Sequence, residues 1–144
     1  MFHGNLVALI TPMCPNGDLD EAAFTDLIEW QINEGVEGLI INGTTGESAT
    51  TTLEKKQRLI KIAKKQTKGR VPLIEGRATS STAMTLTLTR SAAELGVDGC
   101  LIVTPFYNKP PQAGLTAHYA AVARSTPLPI LLYNVPGRTA CDLQ

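Results

Sequence analysis

The residues best suited to bind an anion follow the apolar run 38–41. The segment 42–48 reads NGTTGES, and its Thr44 and Thr45 each offer a hydroxyl and a backbone N–H. A loop that opens into a helix can bind a carboxylate through such donors. A Walker-type phosphate loop is disfavoured because no Lys-Ser or Lys-Thr follows Gly46. The segment therefore predicts a small-anion site, with a turn that only caps the next helix as the alternative.

Two phenols and a guanidinium could complete such a site. Tyr107 and Tyr133 follow predicted strands, and a phenol with an ordinary pKa near about 10 can move protons when a hydroxyl or a cation lowers that value. With Thr44 they predict a proton relay, whereas a single interior tyrosine more often only packs. Arg138 offers two-pronged carboxylate binding, with a surface ion pair as its alternative.

The histidines, methionines and tryptophan carry no predicted chemistry. His3 lies near the start and His118 within a predicted helix, so both are expected to be structural or exposed. Trp30 is expected to take part in helix packing, and the methionines, Met1 among them, indicate no cofactor box. We therefore predict neither a metal nor a cofactor.

Composition indicates one ordinary globular domain spanning residues 1–144. The hydrophobic fraction of 43% suffices for a core, and 13 basic residues balance 13 acidic ones. The basic residues concentrate at 55–56 and 61–70, interleaved with apolar ones, which is typical of a solvated helix face and disfavours a nucleic-acid partner. No apolar run approaches the roughly 18 residues of a membrane helix, and the start lacks a basic n-region. Three widely spaced cysteines fit neither a disulfide framework nor a metal cluster, so we expect a cytoplasmic protein without membrane association.

Short apolar runs alternate with amphipathic stretches. Strands are predicted at 6–10, 38–41, 71–74, 100–103 and 130–132. They are apolar at nearly every position, as expected of parallel strands covered on both faces. Helices are predicted from the spacing of Phe24, Leu27, Ile28 and Ile32, from a capping box with Thr51 at the N-cap and Glu54 three residues later, and over 82–95 and 112–125.

An internal echo supports a repeating βα unit. Gly35 and Gly96 each stand where a helix must end in a left-handed cap before a strand. Eight units of about thirty residues make a barrel of roughly 250 residues, so five strands amount to rather more than half of one. We predict an incomplete (β/α)8 TIM barrel whose polar strand ends converge on one face. An open doubly wound sheet, which could close its core within 144 residues, is the competitor.

These motifs resemble dihydrodipicolinate synthase, a family of class I pyruvate-dependent lyases that includes N-acetylneuraminate lyase. The resemblance covers essentially the whole chain, and its motifs follow in the family's order and spacing. They are MFHG at the start, VALITPM at 7–13, GTTGESA at 43–49, VTPFYN at 103–108 and YNVPGRT at 133–139.

The resemblance implies condensation of pyruvate with aspartate semialdehyde on the diaminopimelate route to lysine. Pyruvate forms a Schiff base with a lysine, and the enamine then attacks the aldehyde. Thr45 matches the residue that binds the pyruvate carboxylate, and Thr44, Tyr107 and Tyr133 match the proton relay. Arg138 matches the residue that receives the aldehyde's carboxylate. The relay tyrosine at position 107 is lent by a neighbouring subunit, which implies a homo-oligomer, usually a dimer of dimers.

The chain departs from the family in three places. Where the family has Gly-Thr-Gly and then Asn after the third strand, this chain has Arg77 and Ala78, which puts the geometry of that loop in question. The Asn, Glu and Tyr that bind inhibitory lysine in some members are replaced by Ser80, Met84 and Phe106, so we predict weak or absent lysine feedback. The Schiff-base lysine is expected about thirty residues beyond Tyr133, past Gln144, so residues 1–144 alone are expected to be inactive.

Two other functions stay open at this point. The same barrel could act on a 2-keto-3-deoxy sugar acid or on N-acetylneuraminate, although relatives acting on sugar acids tend to lack the arginine at position 138. The chain could also be a noncatalytic half-barrel module that pairs with another chain through the free edges of its first and fifth strands.

Overall fold

The computed structural model describes residues 2–77 and 79–144, so Met1 and Ala78, and the predictions made for them, lie outside the described residues. Strands and helices alternate along the chain. The elements are β1 Leu6–Ala8, α1 Glu21–Asn33, β2 Gly38–Ile41, a 3-10 turn Thr44–Gly46, α2 Leu53–Thr67, β3 Leu73–Arg77, α3 Thr82–Leu95, β4 Gly99–Val103, α4 Gln112–Arg124, β5 Ile130–Tyr133 and α5 Pro136–Thr139. The strands belong to one sheet in the order β1-β2-β3-β4-β5. Contacts divide the chain into two compact units, Met1–Glu75 and Gly76–Gln144.

In the first unit, β2 pairs in parallel with β1 and with β3, so β2 is a central strand. All four β2 residues are buried. Helix α1 begins after Asp20, whose carboxylate accepts the Ala23 N–H over 2.9 Å, as expected of an acidic N-cap. Its buried face carries Phe24 and Ile28. Helix α2 packs alongside, and Arg58 joins it to Glu21 of α1 through two bonds of 2.7 Å.

In the second unit, β4 and β5 pair in parallel, with Val103 opposite Tyr133. Helix α3 begins after Ser81, whose hydroxyl accepts the Met84 N–H over 3.3 Å. It ends at Gly96 in the left-handed conformation (φ 74°), as predicted, because glycine has no Cβ to oppose a positive φ. The inward face of α4 includes Leu115, Tyr119 and Val122.

Several predicted boundaries needed correction. Thr52, and not Thr51, caps α2: its hydroxyl accepts the Lys55 N–H over 3.3 Å, whereas the Thr51 hydroxyl donates to Glu47 O over 2.9 Å. Strand β1 is shorter than predicted. Strand β3 runs on to Arg77 and all five of its residues are buried, so Glu75 and Gly76 lie in a strand and not in the loop after it. Two polar residues had interrupted the apolar pattern from which the strand end was predicted.

Two further expectations failed for local reasons. Trp30 is 57% exposed and its indole N–H donates to Glu34 Oε1 over 3.2 Å, so it does not pack inward. The short helix α5 was missed because four residues carry no periodic signal, although Pro136 at its first position is a common helix start. Within residues 2–77 and 79–144, no helix is long and apolar enough to cross a membrane.

Candidate functional site

The segment that follows β2 forms a single closed turn. Gly46 N–H donates to Gly43 O and Glu47 N–H to Thr44 O, each over 3.1 Å. Glu47 ends the turn in the left-handed conformation, with φ 56°. Because α2 begins only at Leu53, with Thr52 as its cap, the turn neither caps α2 nor forms its N-terminus. Its anion-binding capacity therefore rests on its own N–H groups and hydroxyls.

The exit of this turn is packed against the end of β1. The Thr11 hydroxyl donates to Gly46 O over 2.7 Å. A Cβ added at Gly46 would lie 3.0 Å from both Leu9 O and Thr11 Oγ1, which is closer than ordinary van der Waals contact allows. Glycine at position 46 is thus required by the close approach of these two oxygen atoms.

The two threonines of the turn are exposed. Among residues 2–77 and 79–144, the hydroxyls of Thr44 and Thr45 make no hydrogen bond, whereas those of Thr11 and Thr51 both do. The backbone of the turn is therefore held while its two hydroxyls are available to a ligand. This is the arrangement expected of a preorganised anion site.

In the second unit, Tyr133 is the last residue of β5 and is half-buried. Its carbonyl accepts the Thr104 N–H over 3.1 Å, which continues the β4–β5 pairing by one bond. Thr104 is fully buried, and its hydroxyl has no partner among the described residues. The phenol of Tyr133 therefore projects from a point of the backbone that two strands fix.

The loop after β4 presents Tyr107 in an unusual conformation. Tyr107 is 92% exposed and has φ 72°, and Lys109 has φ 45°. Bulky side chains adopt positive φ rarely and at some conformational cost. Between them, the Asn108 amide donates to Ser80 O over 3.2 Å. Lys109 is exposed, so it lacks the desolvating pocket that a Schiff-base lysine requires.

Arg138 lies in α5, within a segment held by side-chain amides. The Asn134 amide donates to Asp142 Oδ1 over 2.8 Å and to Leu143 O over 3.3 Å, and Gln112 Nε2 donates to Asp142 O over 2.6 Å. Arg138 itself is exposed, and no ion pair to it is found in the described part of the chain. The surface ion pair considered as its alternative is therefore not formed there.

Two side chains of α4, Tyr119 and His118, are structural, because each is buried and has a polar partner within the protein. Burial raises the pKa of Tyr119 to about 12, and its hydroxyl donates to Ile102 O over 3.3 Å. Burial also lowers the pKa of His118, whose Nδ1 lies 2.9 Å from Thr82 Oγ1. The described residues contain no group of three or more His, Cys, Asp or Glu arranged to hold a metal ion.

The residues predicted for the site thus fall into two groups. Thr44 and Thr45 are adjacent in one turn of the first unit, and Tyr107, Tyr133 and Arg138 follow β4 and β5 in the second. Sequence reasoning assigned no role to Asn42, Thr11 and Thr104, which hold or flank these groups. For Asn42 a signal was available, because Asn before Gly at the end of a strand favours a left-handed turn.

The element order, the parallel sheet and the polar residues after its strands define the first half of a (β/α)8 barrel of the enzyme type, which keeps its functional groups at the carboxyl ends of the strands. Residues 1–144 match the model of the Dihydrodipicolinate synthetase family over their whole length. The chain belongs to that family.

Curated relatives agree with this assignment. The chain is 50% identical over 143 residues to the 4-hydroxy-tetrahydrodipicolinate synthase of Rhodospirillum centenum, covering 99% of this chain and 49% of that protein. It is 47% identical to the synthase of Coxiella burnetii, covering 99% of this chain and 50% of that protein. The chain thus spans about half the length of the curated relatives it matches.

Solved structures show the same half. The chloride-inhibited dihydrodipicolinate synthase of Acinetobacter baumannii, complexed with pyruvate, aligns with a TM-score of 0.98 at 42% identity and covers 100% of this chain and 50% of that one. The enzyme from Cyanidioschyzon merolae with lysine bound aligns with a TM-score of 0.94 at 38% identity, covering 99% and 49%. The prediction of a TIM barrel of which only the first strands are present is confirmed. The prediction of a single domain over 1–144 stays a prediction.

Proposed function

We propose that the protein to which these residues belong condenses pyruvate with aspartate semialdehyde to 4-hydroxy-tetrahydrodipicolinate, in the cytoplasm, as a step of lysine and diaminopimelate biosynthesis. The observation that carries the proposal is the match of the entire chain, at 50% identity, to half of a 4-hydroxy-tetrahydrodipicolinate synthase. No cofactor is needed, because a lysine amine supplies the covalent chemistry. It condenses with the carbonyl of pyruvate, releases water and yields the enamine that attacks the aldehyde.

In this proposal Thr45 binds the pyruvate carboxylate and Thr44 transfers protons as a member of the relay. The closed turn and the two exposed hydroxyls support that role, since hydrogen bonds within the turn fix the backbone that carries the donors. The Acinetobacter baumannii relative, which aligns with the whole of this chain, was solved in complex with pyruvate, and this also supports the proposal.

Tyr133 and Tyr107 complete the relay, and Arg138 binds the carboxylate of aspartate semialdehyde. Arg138 is exposed, so its guanidinium can meet a substrate carboxylate in two-pronged fashion. Tyr107 is 92% exposed and has a positive φ. An exposed side chain of this kind is suited to reach the active site of a neighbouring subunit. We infer a homo-oligomer, a dimer of dimers, for the protein at the length of its relatives.

Residues 1–144 by themselves are proposed to be inactive. The lysine expected about thirty residues beyond Tyr133, one βα unit further along the barrel, is not among them. Reduction with borohydride in the presence of pyruvate should leave this polypeptide unmodified in a mass spectrum, while the Acinetobacter baumannii synthase gains one pyruvate adduct. A stoichiometric adduct on residues 1–144 would overturn this part of the proposal.

The roles of the threonine and the arginine are tested in a chimera that joins residues 1–144 to the second half of the Rhodospirillum centenum relative. Thr45→Val should raise the KM for pyruvate about tenfold or more, with Thr45→Ser as the conservative control. Arg138→Ala should raise the KM for aspartate semialdehyde about tenfold or more and leave that for pyruvate little changed. Faster turnover of 2-keto-3-deoxy sugar acids than of aspartate semialdehyde would refute the proposed substrate.

A further inference from the structure

Asn42 lies between the end of β2 and the turn that carries Thr44 and Thr45, and the chain changes direction at this residue. It follows the last residue of β2 and has φ 56°, a left-handed conformation that Asn adopts more readily than other side chains with a Cβ. Its side chain is buried, and its amide nitrogen donates twice: to Lys56 O of α2 over 3.2 Å and to Glu75 Oε1 of β3 over 3.1 Å. Both amide hydrogens are therefore in use.

Glu75, which accepts one of these bonds, is fully buried in β3. A buried carboxylate is tolerated only where donors or charges compensate its lost hydration. The Asn42 amide is one such donor. Loss of this bond would leave the buried Asn42 amide with one N–H unmet, and an unmet buried donor costs more free energy than the bond itself contributes.

The turn is thus held from both ends. At its exit, Thr11 donates to Gly46 O and Thr51 donates to Glu47 O. At its start, Asn42 ties the backbone to α2 and β3. The two threonines between these anchors make no side-chain hydrogen bond among the described residues, so their direction is set by the anchored backbone.

We propose that Asn42 and Glu75 are positioning residues for the Thr44–Thr45 turn: the Asn42 amide, oriented by the buried Glu75 carboxylate, fixes the backbone from which the two hydroxyls project. That these hydroxyls meet pyruvate rests on the proposed function, whereas the positioning itself does not.

Asn42→Asp tests the pair through pH, measured as amide hydrogen exchange by NMR on the 144-residue chain. The variant places two carboxylates about 3 Å apart in a buried site, where like charges let the pair keep one proton to a raised pH. A shared proton restores the contact at pH 5 and is lost towards pH 8. The protection factors of the Gly46, Glu47 and Ser48 amides should therefore fall about tenfold over this range, while the wild-type factors stay level.

The reciprocal variant separates positioning from mere stability. Glu75→Gln alone keeps an acceptor for Asn42 and should leave the turn protected at every pH. The double variant N42D/E75Q reverses donor and acceptor, so the new amide at position 75 can donate to the new carboxylate at position 42. The bond to Lys56 O is lost in both variants with aspartate at position 42, so protection at pH 8 should exceed that of Asn42→Asp while staying below that of the wild type. Amides away from the turn serve as controls: Phe24 of α1, which donates to Asp20 O over 2.9 Å, and Leu115 of α4, which donates to Pro111 O over 2.9 Å. Both residues are buried.

The outcomes are distinct. Equal loss of protection at the turn and at the control amides would show that the pair acts only on global stability and would overturn the proposal. A protection profile of Asn42→Asp that matches the wild type at pH 8 would do the same. Pyruvate added to the wild-type chain forms a separate arm, read as chemical-shift changes at the Thr44 and Thr45 amides. Their absence would count against the proposed function and leave the positioning result unaffected.

Discussion

The turn after β2 and the loop after β4 both carry predicted site residues beyond a buried strand, yet they are held in different ways. The turn closes on itself and, among the described residues, is anchored by five side-chain hydrogen bonds from Thr11, Asn42, Thr50 and Thr51. Among the described residues, the loop has two side-chain anchors, from the Asn108 amide to Ser80 O and a weak one from the Cys141 thiol to Pro110 O over 3.9 Å. Its Tyr107 is nearly fully exposed with a positive φ. The group proposed to bind a small anion is held in place within one chain. The group proposed to serve a neighbouring subunit projects from its own chain.

Two matched glycine substitutions should give the largest difference in stability between the turn and the second unit. Gly46→Ala places a Cβ 3.0 Å from two oxygen atoms in the turn, so we expect a loss of about 1–3 kcal/mol of unfolding free energy. Gly137→Ala adds its Cβ in open space within α5 and should change stability by less than about 1 kcal/mol. Urea unfolding of both variants measures the difference, and equal midpoints would mean that the exit of the turn is not tightly packed.

The buried Tyr119 and the exposed Tyr107 allow a second comparison of stability. Tyr119→Phe removes the hydroxyl that donates to Ile102 O and should cost about 0.5–1.5 kcal/mol. Tyr107→Phe alters an exposed group and should change stability by less than about 0.5 kcal/mol. Thermal or urea unfolding compares the two directly, and a larger loss for Tyr107→Phe would contradict its description as a projecting side chain.

The raised pKa of Tyr119, about 12 against an ordinary phenol value of 10.0, makes a second measurement possible. Between these values the unfolded chain releases the proton while the folded chain keeps it, so stability from this group is complete below about pH 10 and is lost as pH rises to about 12. The slope of unfolding free energy against pH in this window should be smaller in Tyr119→Phe than in the wild type.

Acid should loosen the second unit before it affects the turn. Burial lowers the pKa of His118, so below about 6.5 the unfolded chain binds the proton more readily than the folded one. The stability contributed by the neutral imidazole is present above that pH and is lost as pH falls through the lowered pKa. We expect the protection factor of the Asn108 amide to fall at low pH while that of the Gly46 amide does not, and expect His118→Asn to remove this difference. Parallel exchange of both amides would argue against it.

Lysine should have the smallest effect. The three positions that match the family's lysine-binding residues carry Ser80, Met84 and Phe106, none of which supplies a carboxylate or a phenol. Met84 and Phe106 are exposed apolar side chains. Millimolar lysine should leave the chimera's activity unchanged, with the Cyanidioschyzon merolae enzyme, solved with lysine bound, assayed in parallel. Inhibition of the chimera by half would refute the prediction.

The parts of the fold that rest on local periodicity could be predicted. Strand β2 and helix α3 begin and end at the predicted residues, because an unbroken apolar run and a serine cap with a glycine stop are strong local signals. The end of β3 could not be predicted. Glu75 and Arg77 are polar, and their burial depends on neighbours distant in sequence, such as Asn42.

The same holds for the candidate site. The segment 42–48 was identified from residue types and from family resemblance, but its anchors depend on tertiary contacts that no spacing rule contains. The roles assigned to Thr44, Thr45, Tyr107, Tyr133 and Arg138 stay predictions until the variants are measured.

Asn42 also bears on how the protein ages. Asn-Gly sequences lose ammonia when the glycine nitrogen attacks the side-chain carbonyl, and this chain has two of them, at Asn16 and Asn42. Asn16 is exposed, whereas the Asn42 amide is buried and held by Lys56 O and Glu75. Deamidation should therefore proceed at Asn16 in the folded protein and reach Asn42 only when the chain opens. Because the aspartate that forms there would face Glu75, each such event would hinder the chain from closing again, so the chemical state of residue 42 records how often a stored sample has unfolded.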